Sequence, residues 1–148
     1  MKEQIKKLLE IINIAIKDKT ENKWKDLGKV TNREIETIKT VMDIDLTGYI
    51  RVITVQDINH AIKQHGKDSK DKYPIDYSDF LHIPLIVSEA DEILKGSISD
   101  RTKLQCIVYK KEIGDMYFYV EEIRNRREKL ALKTLYKKPI KEQTLTGF

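Results

Sequence analysis

KLQCIVYKKEIGDMYFYVEEIRNRREKLALKTLYK, residues 103–137, decides the fold. It breaks into three strand-like segments, 103–111, 116–124 and 128–137. A Gly114–Asp115 turn separates the first two, and a basic turn, Asn125–Arg127, separates the last two. Connections this short join neighbouring antiparallel strands, so the stretch predicts a meander. Side chains alternate between sheet faces with period two. On the middle strand Met116, Phe118 and Val120 point one way, and Tyr117, Tyr119 and Glu121 the other. On the last strand Leu130, Leu132, Thr134 and Tyr136 alternate with Ala131, Lys133 and Leu135. Thr134 is thus expected to share the helix-facing side with Leu130 and Leu132. Lys133 is expected on an open sheet face with Tyr117, Tyr119 and Glu121.

Upstream the pattern is helical. Ile5, Leu8, Leu9, Ile12 and Ile16 recur at helical spacing over 2–17, and Ile11 and Ile14 extend that helix's apolar surface. Residues 18–23 read as a polar linker, and WKDLGKV (24–30) as a turn anchored by a tryptophan. Thr31 opens a second helix through a Thr31–Glu34 capping box, with Ile35, Ile38, Val41 and Met42 as its stripe. A β-branched strand, 49–53, leads into TVQDINHAIKQHG, 54–66. There Thr54 caps a helix, Asp57 lies at its positive end, and Gly66 is expected to close it in the left-handed conformation. Asp76 caps a short helical turn before Pro84, PLIV follows, and 92–96 reads as a short strand.

Helices followed by a meander describe an α+β domain with helices on one face of an antiparallel sheet. The expected layout is an amphipathic helical extension over 1–20, one domain over 24–138 and a tail over 139–148.

The chain of 148 residues carries a net charge of +4, unevenly spread. Residues 101–148 hold 12 Lys/Arg and 6 Asp/Glu, 12 − 6 = +6, against 16 − 18 = −2 for the remainder. That asymmetry fits a polyanion-binding face, and equally a lysine-rich soluble surface. Cys106 is the only cysteine, which excludes an intrachain disulfide. The N-terminus is amphipathic rather than a basic-then-apolar signal, and no apolar run approaches the ~20 residues needed to span a bilayer. A cytoplasmic protein without membrane contact is expected.

The sequence holds no GxxxxGK[ST], GxSxG, HExxH or CxxC pattern and no calcium-loop spacing, so no cofactor or metal is expected. What remains is two histidines near a helix end with Glu121, Arg124, Lys133, Thr134 and Tyr136 on the strands. These suit metal-free RNA cleavage. A base removes the 2′-hydroxyl proton, an acid protonates the leaving 5′-oxygen, and cations surround the phosphorane-like transition state. His60 and His65 lie five residues apart, roughly 140° around an ideal helix, so they cannot form a same-face pair. His65 shares the apolar face with Ile58, Ala61 and Ile62, pointing toward the sheet and Thr134. His60 lies on the polar face with Gln56, Lys63 and Gln64.

The segments HxxxxHG (60–66), DFLxIP (79–84) and LALKTLYKK (130–138) resemble the phage-associated barnase–EndoU–colicin–RelE-like (BECR) nucleases over about residues 24–138. The resemblance implies helices packed on a four-stranded antiparallel sheet and a metal-independent endoribonuclease, toxin-like and encoded by phages or mobile elements. It implies His60, His65, Lys133 and Thr134 as catalytic residues, with Arg124, Glu121 and Tyr136 binding substrate. RNA, tRNA included, is the implied partner, and an immunity or inhibitor protein is a further partner class. The alternative is a catalytically silent module that binds nucleic acid or a phage protein.

Overall fold

A computed structural model describes residues 1–140. In chain order it has α1 (Lys2–Lys17), β1 (Trp24–Lys29), α2 (Asn32–Met42), β2 (Ile50–Thr54), α3 (Val55–His65) and a short 3₁₀ helix (Tyr77–His82). These are followed by α4 (Ile83–Ser88), β3 (Glu92–Ile98), β4 (Gln105–Ile113), β5 (Asp115–Arg124) and β6 (Lys129–Lys138). The 139–148 tail expected from sequence lies largely outside the described residues.

The caps follow the sequence. Thr31 and Glu34 form the reciprocal capping box of α2, and the Thr54 hydroxyl accepts from the Asp57 amide at the start of α3. Asp76 and Asp79 form a second box at the 3₁₀ helix. Gly66 departs from expectation, being extended (φ −84°, ψ −169°) rather than left-handed. Glycine is needed there for space, because a Cβ would lie 2.4 Å from the Ile62 carbonyl oxygen.

The expected four-stranded antiparallel sheet is corrected to six strands in the order β1-β2-β6-β5-β4-β3. The meander β4–β5–β6 is antiparallel, as its short turns require. β3 extends it on one side, while β2 joins β6 in parallel. WKDLGK is a strand rather than a turn, antiparallel to β2. Its glycine sits at a pairing irregularity with φ +96°, which is why the segment reads as a turn.

β2 pairs with only residues 129–131 of β6, and beyond that point α3 runs beside β6. This places the histidine helix along the strand that carries Lys133 and Tyr136. Leu8, Ile11, Ile58, Phe80, Ile83 and Ile86 pack against the sheet face that carries Tyr109, Tyr119, Leu130 and Leu135. α1 therefore contributes Leu8, Ile11, Ile12 and Ala15 to the same core as the rest of the chain.

The face that carries Tyr117, Tyr119 and Glu121 is the buried one, not the open one expected, and their exposures are 4%, 0% and 0%. Glu121 accepts from Arg51 Nε at 2.5 Å and from the Tyr119 hydroxyl at 2.8 Å. Arg51 also pairs with Glu34, and Tyr109 donates to Glu34 at 3.1 Å. A buried polar cluster of Arg51, Glu34, Glu121, Tyr109 and Tyr119 is thus set within the apolar face under the helices.

Candidate active-site cleft

One β-bulge sets up the site. Val120 pairs with Thr134 and Glu121 pairs with Leu132, so Lys133 is the extra residue on β6. The bulge reverses the alternation downstream. Thr134 moves to the Val120 side of the sheet and away from the Leu130/Leu132 face expected for it. Its hydroxyl oxygen is buried without a hydrogen-bond partner. Lys133, half-buried, projects into a polar cleft and donates to Ser99 Oγ at 3.0 Å.

That cleft, about 330 Å³, is lined by Gln56, Asp57 and His60 of α3, Glu122 and Arg124 of β5, and Leu132 and Lys133 of β6. The β3–β4 loop closes it with Ser99, Arg101 and Thr102. Three cations, Arg101, Arg124 and Lys133, face it. Glu122 is nearly buried and holds Thr102 Oγ1 at 2.8 Å and Arg124 Nε at 3.2 Å, which orients the arginine. His60 is exposed at the rim.

Asp57 is the residue that sequence reasoning assigned only to helix capping. It lies three positions before His60, on the same helix side, and Oδ2 is buried without a partner. Burial raises its carboxyl above the ordinary 3.8, against the opposing pull of its Thr54 hydrogen bonds and the Arg124 charge. The signal for it was present in the Asp57–His60 i,i+3 spacing. Arg101 and Ser99 carried no such signal, because they reach the cleft only through the pairing of β3 with β4.

His65 does not enter this cleft. Its Nδ1 hydrogen-bonds Asp71 Oδ2 at 2.7 Å, and its ring lies 5.1 Å from that of Tyr136. The structure therefore gathers His60, Lys133 and Arg124, places His65 and Tyr136 together elsewhere, and buries Glu121 in the core. His82 lies 5.0 Å from the Tyr117 ring, packed rather than poised. Among the described residues no group of three His, Cys, Asp or Glu side chains is arranged to hold a metal.

A family model described as phage-Barnase-EndoU-ColicinE5/D-RelE like nuclease3 matches residues 28–144. The chain belongs to this family. The match spans all three histidines, and every residue of the His60 cleft lies within it. α1 lies before the matched region. No curated protein and no solved structure matches the chain. No helix among the described residues is long and apolar enough to cross a membrane.

Proposed function

We propose that the protein is a metal-independent endoribonuclease that acts at the His60 cleft. The observation that carries this reading is the convergence of an imidazole, a carboxyl whose proton burial helps to retain and three cations in one cleft of a nuclease-family domain. Histidine titrates near neutrality, so His60 suits removal of the 2′-hydroxyl proton. The 2′-oxygen then attacks phosphorus, the P–O5′ bond breaks, and a 2′,3′-cyclic phosphate remains. Lys133 and Arg124 face the position where phosphoryl oxygens gain charge. Asp57 supplies the proton that the departing 5′-oxygen takes up. Thr134 lines no part of this cleft, and its placement supports a packing role at the bulge.

The test is incubation of the purified protein with total RNA in EDTA. Wild type is expected to leave 2′,3′-cyclic phosphate ends, and His60→Ala to lose about 10²–10⁴-fold in rate with its circular dichroism unchanged. Full cleavage by His60→Ala would sink the proposal. One observation favours a second reading. The His60 ring has no hydrogen-bonding partner among the described residues to orient it, whereas an activated base usually has one. A binding module using the same cations would show salt-sensitive binding of RNA and no turnover at any protein concentration.

A further inference from the structure

Trp24, the first residue of β1, is exposed over 55% of its surface. A single exposed aromatic needs no explanation by itself. Its surroundings set this one apart. Trp24 pairs with Thr54 and Asp26 with Val52, so Trp24, Val52 and Thr54 share one face of the sheet. It is the face away from the helices, since at the alternate positions Lys25 reaches Glu10 of α1 and Arg51 reaches Glu34 of α2. These three residues line a hollow of about 170 Å³ together with Arg124, Arg127 and Lys129. The lining thus holds three cations, one aromatic ring and no carboxylate. Lys129 Nζ lies over one side of the indole, 5.1 Å from the ring centroid. No other aromatic ring packs against the indole among the described residues.

This hollow adjoins the first cleft, where His60 lies. Arg124 lines both, and it also lines a third hollow with Arg126 and Arg127. At the corner between β2 and α3, Thr54 of the hollow accepts a hydrogen bond from the amide of Asp57, which lines the cleft. A strand whose phosphate meets Arg124 in the cleft therefore finds further cations and an open indole beside it. Cations that track a backbone and an aromatic ring that takes a base are the two parts of a single-strand binding site. A duplex keeps its bases stacked on one another, so an unpaired nucleotide is needed to lay a face on the ring.

We propose that the Trp24 hollow takes one nucleobase of a single-stranded RNA, stacked on the indole, with the backbone running over Arg124 and Arg127. The identity of the strand rests on the ribonuclease reading. Lys129, on one side of the ring, is then a positioning residue for it.

Trp24 is the only tryptophan of the chain, so intrinsic fluorescence reports on this ring alone. The test titrates the protein with a short single strand, 2′-deoxy throughout so that it resists cleavage. Further strands carry an abasic site at each position in turn. Anisotropy reads affinity, and the indole emission reads stacking. The intact strand should quench the emission. One abasic position should abolish the quenching and weaken binding about 5- to 150-fold, as loss of one base–aromatic stack does. Trp24→Ala should lose a similar amount with the intact strand and nothing more at that position. Trp24→Phe, which keeps a ring, should bind closer to wild type than to Trp24→Ala. A duplex of the same sequence should bind equally to wild type and Trp24→Ala. Unquenched emission on a bound strand, unchanged binding by Trp24→Ala, or additive losses at every position overturns the proposal. RNA cleavage without this coupling leaves the ribonuclease reading standing and removes the subsite. Coupling without cleavage keeps the subsite and removes the ribonuclease reading.

Discussion

Asp57 joins chemistry to stability. A buried carboxyl with one oxygen unpartnered resists ionisation, and burial is the largest cause of its raised value. The native state therefore keeps this proton to higher pH than the unfolded chain, which releases it near 3.8. Across the window from there up to the raised folded value, the native state binds more protons. Stability then falls as pH rises through that window, and the full penalty stands above it. Asn is a neutral isostere and removes the penalty. Asp57→Asn is expected to melt at a higher temperature than wild type at pH 7 and at the same temperature near pH 3. On RNA it should lose about 10²–10⁴-fold in rate, as a missing general acid does. Thermal melts at the two pH values, paired with a cleavage assay, read both. Equal melting at both pH values would remove the carboxyl from this account, and undiminished cleavage would remove it from the chemistry.

The second helix shows what an element takes from its own sequence and what it takes from distant chain. Its start was legible, since Thr31 and Glu34 stand at capping-box spacing and the box forms. That the same Glu34 would also reach Arg51, itself joined to Glu121 seventy residues away, was not. Lys133 makes the same point. Alternation along 128–137 is a local rule, and it placed Lys133 and Thr134 on opposite faces. The bulge that re-aims them is a property of the β5–β6 register, which no local pattern encodes. The parallel β2–β6 pairing and the β1 strand were hidden for the same reason, whereas the N-terminal helix caps, the meander and the divergence of the two helix histidines were all short-range and readable. The Arg51 cluster gives a stability prediction. Glu34 and Glu121 are both fully buried, so Arg51→Met leaves two carboxylates without their cation. It is expected to cost about 3–5 kcal/mol, measured by urea unfolding. Lys39→Ala breaks an exposed i,i+4 pair with Asp43 at the other end of the same helix and should leave the urea midpoint nearly unchanged. Similar costs for the two would contradict the buried cluster.

At the scale of the molecule, fold topology concentrates a modest net charge of +4. The basic turn between β5 and β6 and the loop between β3 and β4 come together at one end of the sheet. Arg101, Arg124 and Lys133 face the His60 cleft there, and Arg126, Arg127 and Lys129 line adjoining hollows. Six of the twelve Lys/Arg residues in 101–148 are thus gathered at the end of the sheet that holds the candidate site. Binding to a single strand releases counterions, at about 0.7 in the slope of log K against log salt for each phosphate neutralised. Three cations give a slope of about −2 for a strand that fills the first cleft alone. Arg101 is exposed on its loop, so Arg101→Gln should leave the fold intact and reduce this slope by about 0.7. Lys39 does not line the His60 cleft, so Lys39→Ala should leave it unchanged. Anisotropy titrations from 50 to 300 mM salt measure these slopes. An unchanged slope in Arg101→Gln would place the phosphates elsewhere.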